Sequence, residues 1–100
     1  MPLAKILYSG FYDAPLAFVT SLENTQYLFW RGFFDEQLDD YPNEYKVFVL
    51  PNLSEEQINE SWNSLPEKAI GYICKVSMSR VAFDPTRRES IDTSTFDLIV

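Results

Sequence analysis

No histidine occurs anywhere in the chain. That one absence removes the commonest general base, the Ser-His and Cys-His nucleophile pairs, and the commonest metal ligand. A single cysteine, Cys74, excludes an internal disulfide and suits a reducing compartment. The three glycines, Gly10, Gly32 and Gly71, stand too far apart to form a phosphate-cradling loop. No apolar run of signal length opens the chain, and none nears the roughly eighteen residues of a membrane-spanning helix. The expectation is a cytoplasmic, non-enzymatic protein that needs no cofactor and no metal. Bases are also scarce, 8 against 15 acids for a net charge of −7. Residues 23–67 hold ten of those acids against Arg31 and Lys46, whereas residues 68–100 carry five bases and four acids. Direct binding to nucleic acid needs a basic face, so it is excluded. A protein partner with a basic surface is the better match.

Aromatics are plentiful. They make up 16% of the chain, and hydrophobic residues 46%, which rules out disorder by composition. One hundred residues form a single domain, residues 1–100, that buries roughly two thirds of its unfolded surface without staples. The densest stretch is residues 26–34, Gln-Tyr-Leu-Phe-Trp-Arg-Gly-Phe-Phe. As a strand it places Tyr27 and Phe29 on one face and Leu28 and Trp30 on the other, so both faces need cover and the strand belongs in the middle of a sheet.

The rest of the chain supplies that sheet. Residues 3–8 alternate weakly as a first strand, with Ser9-Gly10 as a turn. Pro15 opens a second strand, Leu-Ala-Phe-Val-Thr over residues 16–20, which a polar turn at 21–25 folds back against residues 27–31 as an antiparallel hairpin. Residues 35–44 are acidic and contain Pro42-Asn43, a loop before the strand at 45–50. Ser54 then caps a helix running to Leu65, with Gln57 completing a capping box, Glu55 and Glu56 in the first turn, and Leu53 against Ile58 as a staple. Ile58, Trp62 and Leu65 make its apolar stripe, with Trp62 as the main anchor, and Pro66 ends it. Next, Ile70, Tyr72, Cys74, Val76 and Met78 alternate on one face of a strand, and a bulge near Ser79-Arg80 accounts for the change of parity at Val81 and Phe83. Residues 84–93 read as a loop, and residues 95–100 as a last strand on Phe96, Leu98 and Val100. The fold class predicted is α+β: a curved antiparallel sheet of five or six strands with one helix packed on one face.

These elements resemble a family of small bacterial domains of unknown function. The residues that carry the resemblance are Tyr12-Asp13-Ala14-Pro15-Leu16, Tyr27-Leu28, and the strand at 47–50 followed by Ser54-Glu55-Glu56. The match runs from Ile6 to Ile70. It implies a bacterial or phage setting, assigns no activity and transfers no functional residue.

Chemistry then narrows to surfaces. Cys74 on an apolar strand face reads as a structural thiol. Asp35, Glu36, Asp39, Asp40 and Glu44 do not follow the calcium-loop register, and Asp13 before Ala14-Pro15 reads as a turn residue. Arg80, Arg87 and Arg88 read as solvated. Aromatics beside acids are also what a protein-binding patch looks like, so the predicted partner-binding residues are Phe33, Phe34, Asp35, Glu36, Asp39, Asp40, Tyr41 and Glu44. The predicted function is a non-catalytic protein-binding module acting through this acidic, aromatic-flanked loop, as a monomer or weak homodimer. Two competitors are an acidic mimic of nucleic acid, such as a phage inhibitor of a nucleic-acid-binding protein, and a histidine-free hydrolase using Asp13 and a loop carboxylate. The apolar alternation that runs up to Val100 is what an N-terminal domain cut from a longer polypeptide would show, or a last strand held by pairing.

Overall fold

The computed structural model describes residues 3–12, 14–31, 37, 43–81 and 90–99. Among these described residues six strands form one antiparallel sheet: β1 (Leu3–Tyr12), β2 (Ala14–Leu22), β3 (Thr25–Trp30), β4 (Glu44–Leu50), β5 (Gly71–Ser77) and β6 (Ser90–Asp92). Their order across the sheet is β5-β4-β3-β2-β1-β6. The aromatic strand β3 is therefore interior, as its two apolar faces demand. Phe29 packs with Ile6, Phe18, Tyr45, Val47, Val76 and Ile91 on one face. Leu28 packs with Ala17, Val19, Leu50, Ile58 and Leu65 on the other. Phe18 and Phe29 stack with ring centroids 4.5 Å apart, and Tyr45 meets both rings edge-on, an arrangement worth about 0.5–1.5 kcal/mol per pair beyond area burial.

The β2–β3 hairpin has the predicted partners from Ala17 with Trp30 to Thr20 with Tyr27, and pairing continues beyond them to Leu22 with Thr25. Its turn is tighter than residues 21–25 suggest. Glu23 and Asn24 make it alone, with φ of 50° and 67°, the type I′ signature whose twist matches that of the flanking strands. At the other end of β2, the Ser9-Gly10 turn predicted from sequence does not form. β1 continues through both residues, because Gly10 at φ +66° lets the strand bend under Leu16, whose Cδ1 would lie 2.7 Å from any Cβ placed there.

The helical segment also departs from the sequence reading. Ser54 caps α1 (Glu55–Glu60) with a complete capping box: the Gln57 amide donates to Ser54 Oγ at 3.2 Å and the Ser54 amide to Gln57 Oε1 at 2.9 Å. The helix stops at Ser61. A 3-10 turn at Trp62–Ser64 follows, and then α2 (Leu65–Lys68). Pro66 does not end one long helix; it sits in the first turn of the second. Continued α-helix would set its ring against the Trp62 carbonyl, whereas a fresh first turn tolerates it. Ile58 and Leu65 are fully buried against the sheet and Trp62 only half-buried, so the two aliphatic residues, not Trp62, anchor the segment. Gln26 holds its entry, donating from Nε2 to the Leu53 carbonyl at 2.7 Å and accepting from the Leu53 amide at 2.9 Å.

Two further corrections concern β5 and the end of the chain. The irregularity lies inside β5, not at Ser79-Arg80: Val47 pairs with Cys74 but Phe48 with Tyr72, leaving Ile73 as the extra residue. Residues 78–80 form a 3-10 turn instead. Where the sequence predicts a strand from residue 95, the chain forms a 3-10 helix, Thr93–Leu98, and the pairing strand is β6, which begins five residues earlier and is hydrogen-bonded to β1; Val100 lies outside the described residues. Asp92 caps that helix by accepting from the Ser94 amide at 2.8 Å. In 3-10 geometry residues i and i+3 eclipse, so the apolar pair that matters is Phe96, buried, with Ile99, half-buried against the core. Alternation of period two at Phe96, Leu98 and Val100 mimicked a strand.

Candidate partner-binding edge

Seven of the eight predicted partner-binding residues, Phe33, Phe34, Asp35, Glu36, Asp39, Asp40 and Tyr41, lie outside the described residues, as do Asp13, Arg87 and Arg88. Glu44 is described. It is the exposed first residue of β4, opposite Ser77 of β5, with Oε1 3.7 Å from Lys75 Nζ. Both partners are about half exposed, so the ion pair contributes well under about 1 kcal/mol and leaves each charge available. Tyr45, the next residue, turns inward and is 1% exposed. Arg80 is exposed in the turn after β5.

Among the described residues no three of His, Cys, Asp and Glu come together in a way that could hold a metal ion. Cys74 is a free thiol, half-buried on the core face of β5, and burial pushes its pKa upward. That disfavours the reactive thiolate.

A cleft of about 420 Å³ opens where α1 overlies β1 and β2, floored by Leu7, Val19, Leu53 and Ile58. Four of its polar side chains, Lys5, Thr20, Gln26 and Glu55, are already engaged within the fold. Lys5 Nζ meets Glu55 Oε1 at 3.2 Å across the mouth, Thr20 Oγ1 donates to the Lys5 carbonyl at 3.2 Å, and both ends of the Gln26 amide are taken by Leu53. A ligand site needs convergent polar groups free to meet the ligand. The cleft is a packing seam with an ion pair over it.

Among the described residues, the large apolar side chains that remain exposed are Ile70, Tyr72 and Ile73, at 70%, 51% and 36%. Ile70 immediately precedes β5, and Tyr72 and Ile73 lie at its start, on one of the two edges of the sheet formed by the described residues. The sequence reading put Ile70 and Tyr72 inside, in register with Cys74 and Val76. The bulge at Ile73 separates them: Tyr72 is carried to the helix face, where it meets Phe48 edge-on at 5.4 Å, while Cys74 stays on the opposite, core face. A signal was present in the sequence, since Tyr72-Ile73 puts two large apolar residues on successive positions and breaks the alternation that Cys74 to Met78 obeys.

Toward the other end of β5, Lys75 lies directly opposite Lys46 of β4, and both are exposed. Lys46 in turn pairs with Trp30 of β3, so a row of Trp30, Lys46 and Lys75 crosses the helix face toward the open edge. Like charges directly opposite on neighbouring strands are destabilising. The pair is tolerated because both ammonium groups reach water and Glu44 stands beside one of them.

The molecule is thus a small α+β domain with an antiparallel sheet, a helical layer on one face and an open apolar edge. Comparison with family models, with curated proteins and with solved structures found no match. No helix among the described residues is long and apolar enough to cross a membrane.

Proposed function

We propose that this protein is a non-catalytic protein-binding module that receives an extended segment of its partner along β5. The observation that carries the reading is the exposed run of Ile70, just before β5, with Tyr72 and Ile73 on that seven-residue edge strand. An edge strand presents a row of unpaired backbone groups, and natural proteins usually blunt such an edge or use it. The bulge and Lys75 blunt one part; the apolar start is left open. Glu44, the last residue of the acidic segment predicted to bind the partner, stands opposite Ser77 at the far end of the same edge. There it would face a basic region of the partner.

The test is a comparison of what the wild-type protein and a Tyr72→Ser/Ile73→Ser variant capture from source cells. Both side chains are substantially exposed, so the thermal midpoint should change by only a few degrees at most. A partner captured by the wild type and lost from the variant supports the reading. Capture that is indifferent to both substitutions sinks it.

A further inference from the structure

The chemistry of the segment that β5 would receive can be read from the same edge, and the inference rests on the binding reading above. We propose that the segment is an extended acidic stretch, with apolar residues opposite Tyr72 and Ile73 and a carboxylate opposite Lys75.

The charge distribution points this way. The chain as a whole carries −7, yet from Lys68 to Arg80 it has three bases, Lys68, Lys75 and Arg80, and no acid. All three are exposed, and β5 lies between the first and the last. Lys46 adds a fourth cation one strand inward, directly opposite Lys75. Glu44, 3.7 Å from Lys75, is the carboxylate that meets this pair among the described residues. A strand added outside β5 would place its own side chain opposite Lys75, continuing the row of Trp30, Lys46 and Lys75. A carboxylate there relieves the Lys46–Lys75 repulsion, and a lysine there would compound it. At the other end, Ile70 and the Tyr72-Ile73 pair offer apolar contact that a fully charged strand would leave unmatched. The fit is therefore a segment of about seven residues, roughly 23 Å long, acidic at the end that meets Lys75 and apolar at the end that meets Tyr72 and Ile73.

The same charges argue against a second copy of this chain as the occupant. Pairing β5 with itself would bring the Lys75 residues of two copies to one seam, each with its own Lys46 a strand behind, and would join two chains of −7 each. Lysines on an edge are a common device against self-pairing.

The probe is a pair of peptides, acetyl-Ser-Glu-Val-Glu-Val-Ile-Val-Ser-amide and its counterpart with lysine at every glutamate, titrated into the isotopically labelled protein while amide exchange is followed. The acidic peptide should slow exchange across Gly71–Ser77, and its affinity should fall several-fold between about 50 and 300 mM salt as screening shortens. Lys46→Glu/Lys75→Glu should weaken it by about tenfold and admit the basic peptide; the milder Lys75→Gln should lose a fraction of that. Equal protection of β5 by both peptides would overturn the acidic assignment and leave the binding reading standing. Protection by neither would overturn both. Protection that rises with protein concentration and no peptide would make the occupant a second copy.

Discussion

The hydroxyl of Tyr45 donates to the carbonyl oxygen of Pro15 at 2.6 Å, so β4 is tied to β2 past the end of the intervening β3. Burial raises the phenol's pKa well above its ordinary 10.0, against the opposing pull of the Arg31 guanidinium. The folded chain therefore keeps its proton where the unfolded chain loses it. The stabilising difference is fully present below pH 10 and is lost as pH rises, by up to about 1.4 kcal/mol per pH unit while only the unfolded state ionises. Denaturant midpoints measured from pH 8 to 11.5 should fall above pH 10, and Tyr45→Phe should flatten that fall. The variant should be about 1–2 kcal/mol less stable at neutral pH, since a buried carbonyl loses its donor. An unchanged alkaline slope in the variant would show that another group is responsible.

Gly10 provides the second prediction. Its φ of +66° disfavours any Cβ, and the one added would lie 2.7 Å from Leu16 Cδ1. Gly10→Ala should cost about 1–2 kcal/mol from backbone conformation alone, and more from the contact. In a double-mutant cycle, Leu16→Ala should recover the contact portion only. Additive losses would show that the two residues do not meet.

The helical layer should follow its aliphatic anchors. Leu65→Ala, at a site 0% exposed, should cost about 2–5 kcal/mol, and Ile58→Ala a similar amount. Trp62→Ala should cost less than either, because the indole is half-buried and leaves no closed cavity. Ser54→Ala should cost about 1 kcal/mol through loss of the capping box. Urea unfolding of the four variants gives the ranking directly, and a Trp62 cost above that of Leu65 would contradict the burial pattern.

The β2–β3 turn is a site for gain. Glu23 holds φ 50° although glutamate has no preference for that region, and Asn24 holds φ 67°. Glu23→Asn and Asn24→Gly together make the Asn-Gly pair favoured in type I′ turns and should raise stability by about 0.5–1 kcal/mol, seen as a higher thermal midpoint. A loss would mean that the Glu23 side chain contributes something its exposure does not suggest.

Amino-acid order alone determined the features set by local chemistry. The two apolar faces of residues 27–30 required an interior strand. Ser54, Gln57 and the flanking Leu53 and Ile58 specified where a helix begins, because a cap is satisfied within four residues. Tertiary structure decided what depends on neighbours. Whether Gly10 turns or bends was settled by Leu16 lying over it. Whether Tyr72 faces the core was settled by the register against Phe48, which no single strand can encode, since one extra residue reverses every side chain beyond it. Phe96 reads as strand or as 3-10 helix by period alone, and the choice followed from the Asp92 cap on the Ser94 amide and the seat for Ile99 against the core. The candidate edge belongs to this second group. The identities of Ile70, Tyr72 and Ile73 were plain from the sequence, but their exposure depends on β5 being an edge strand among the described residues.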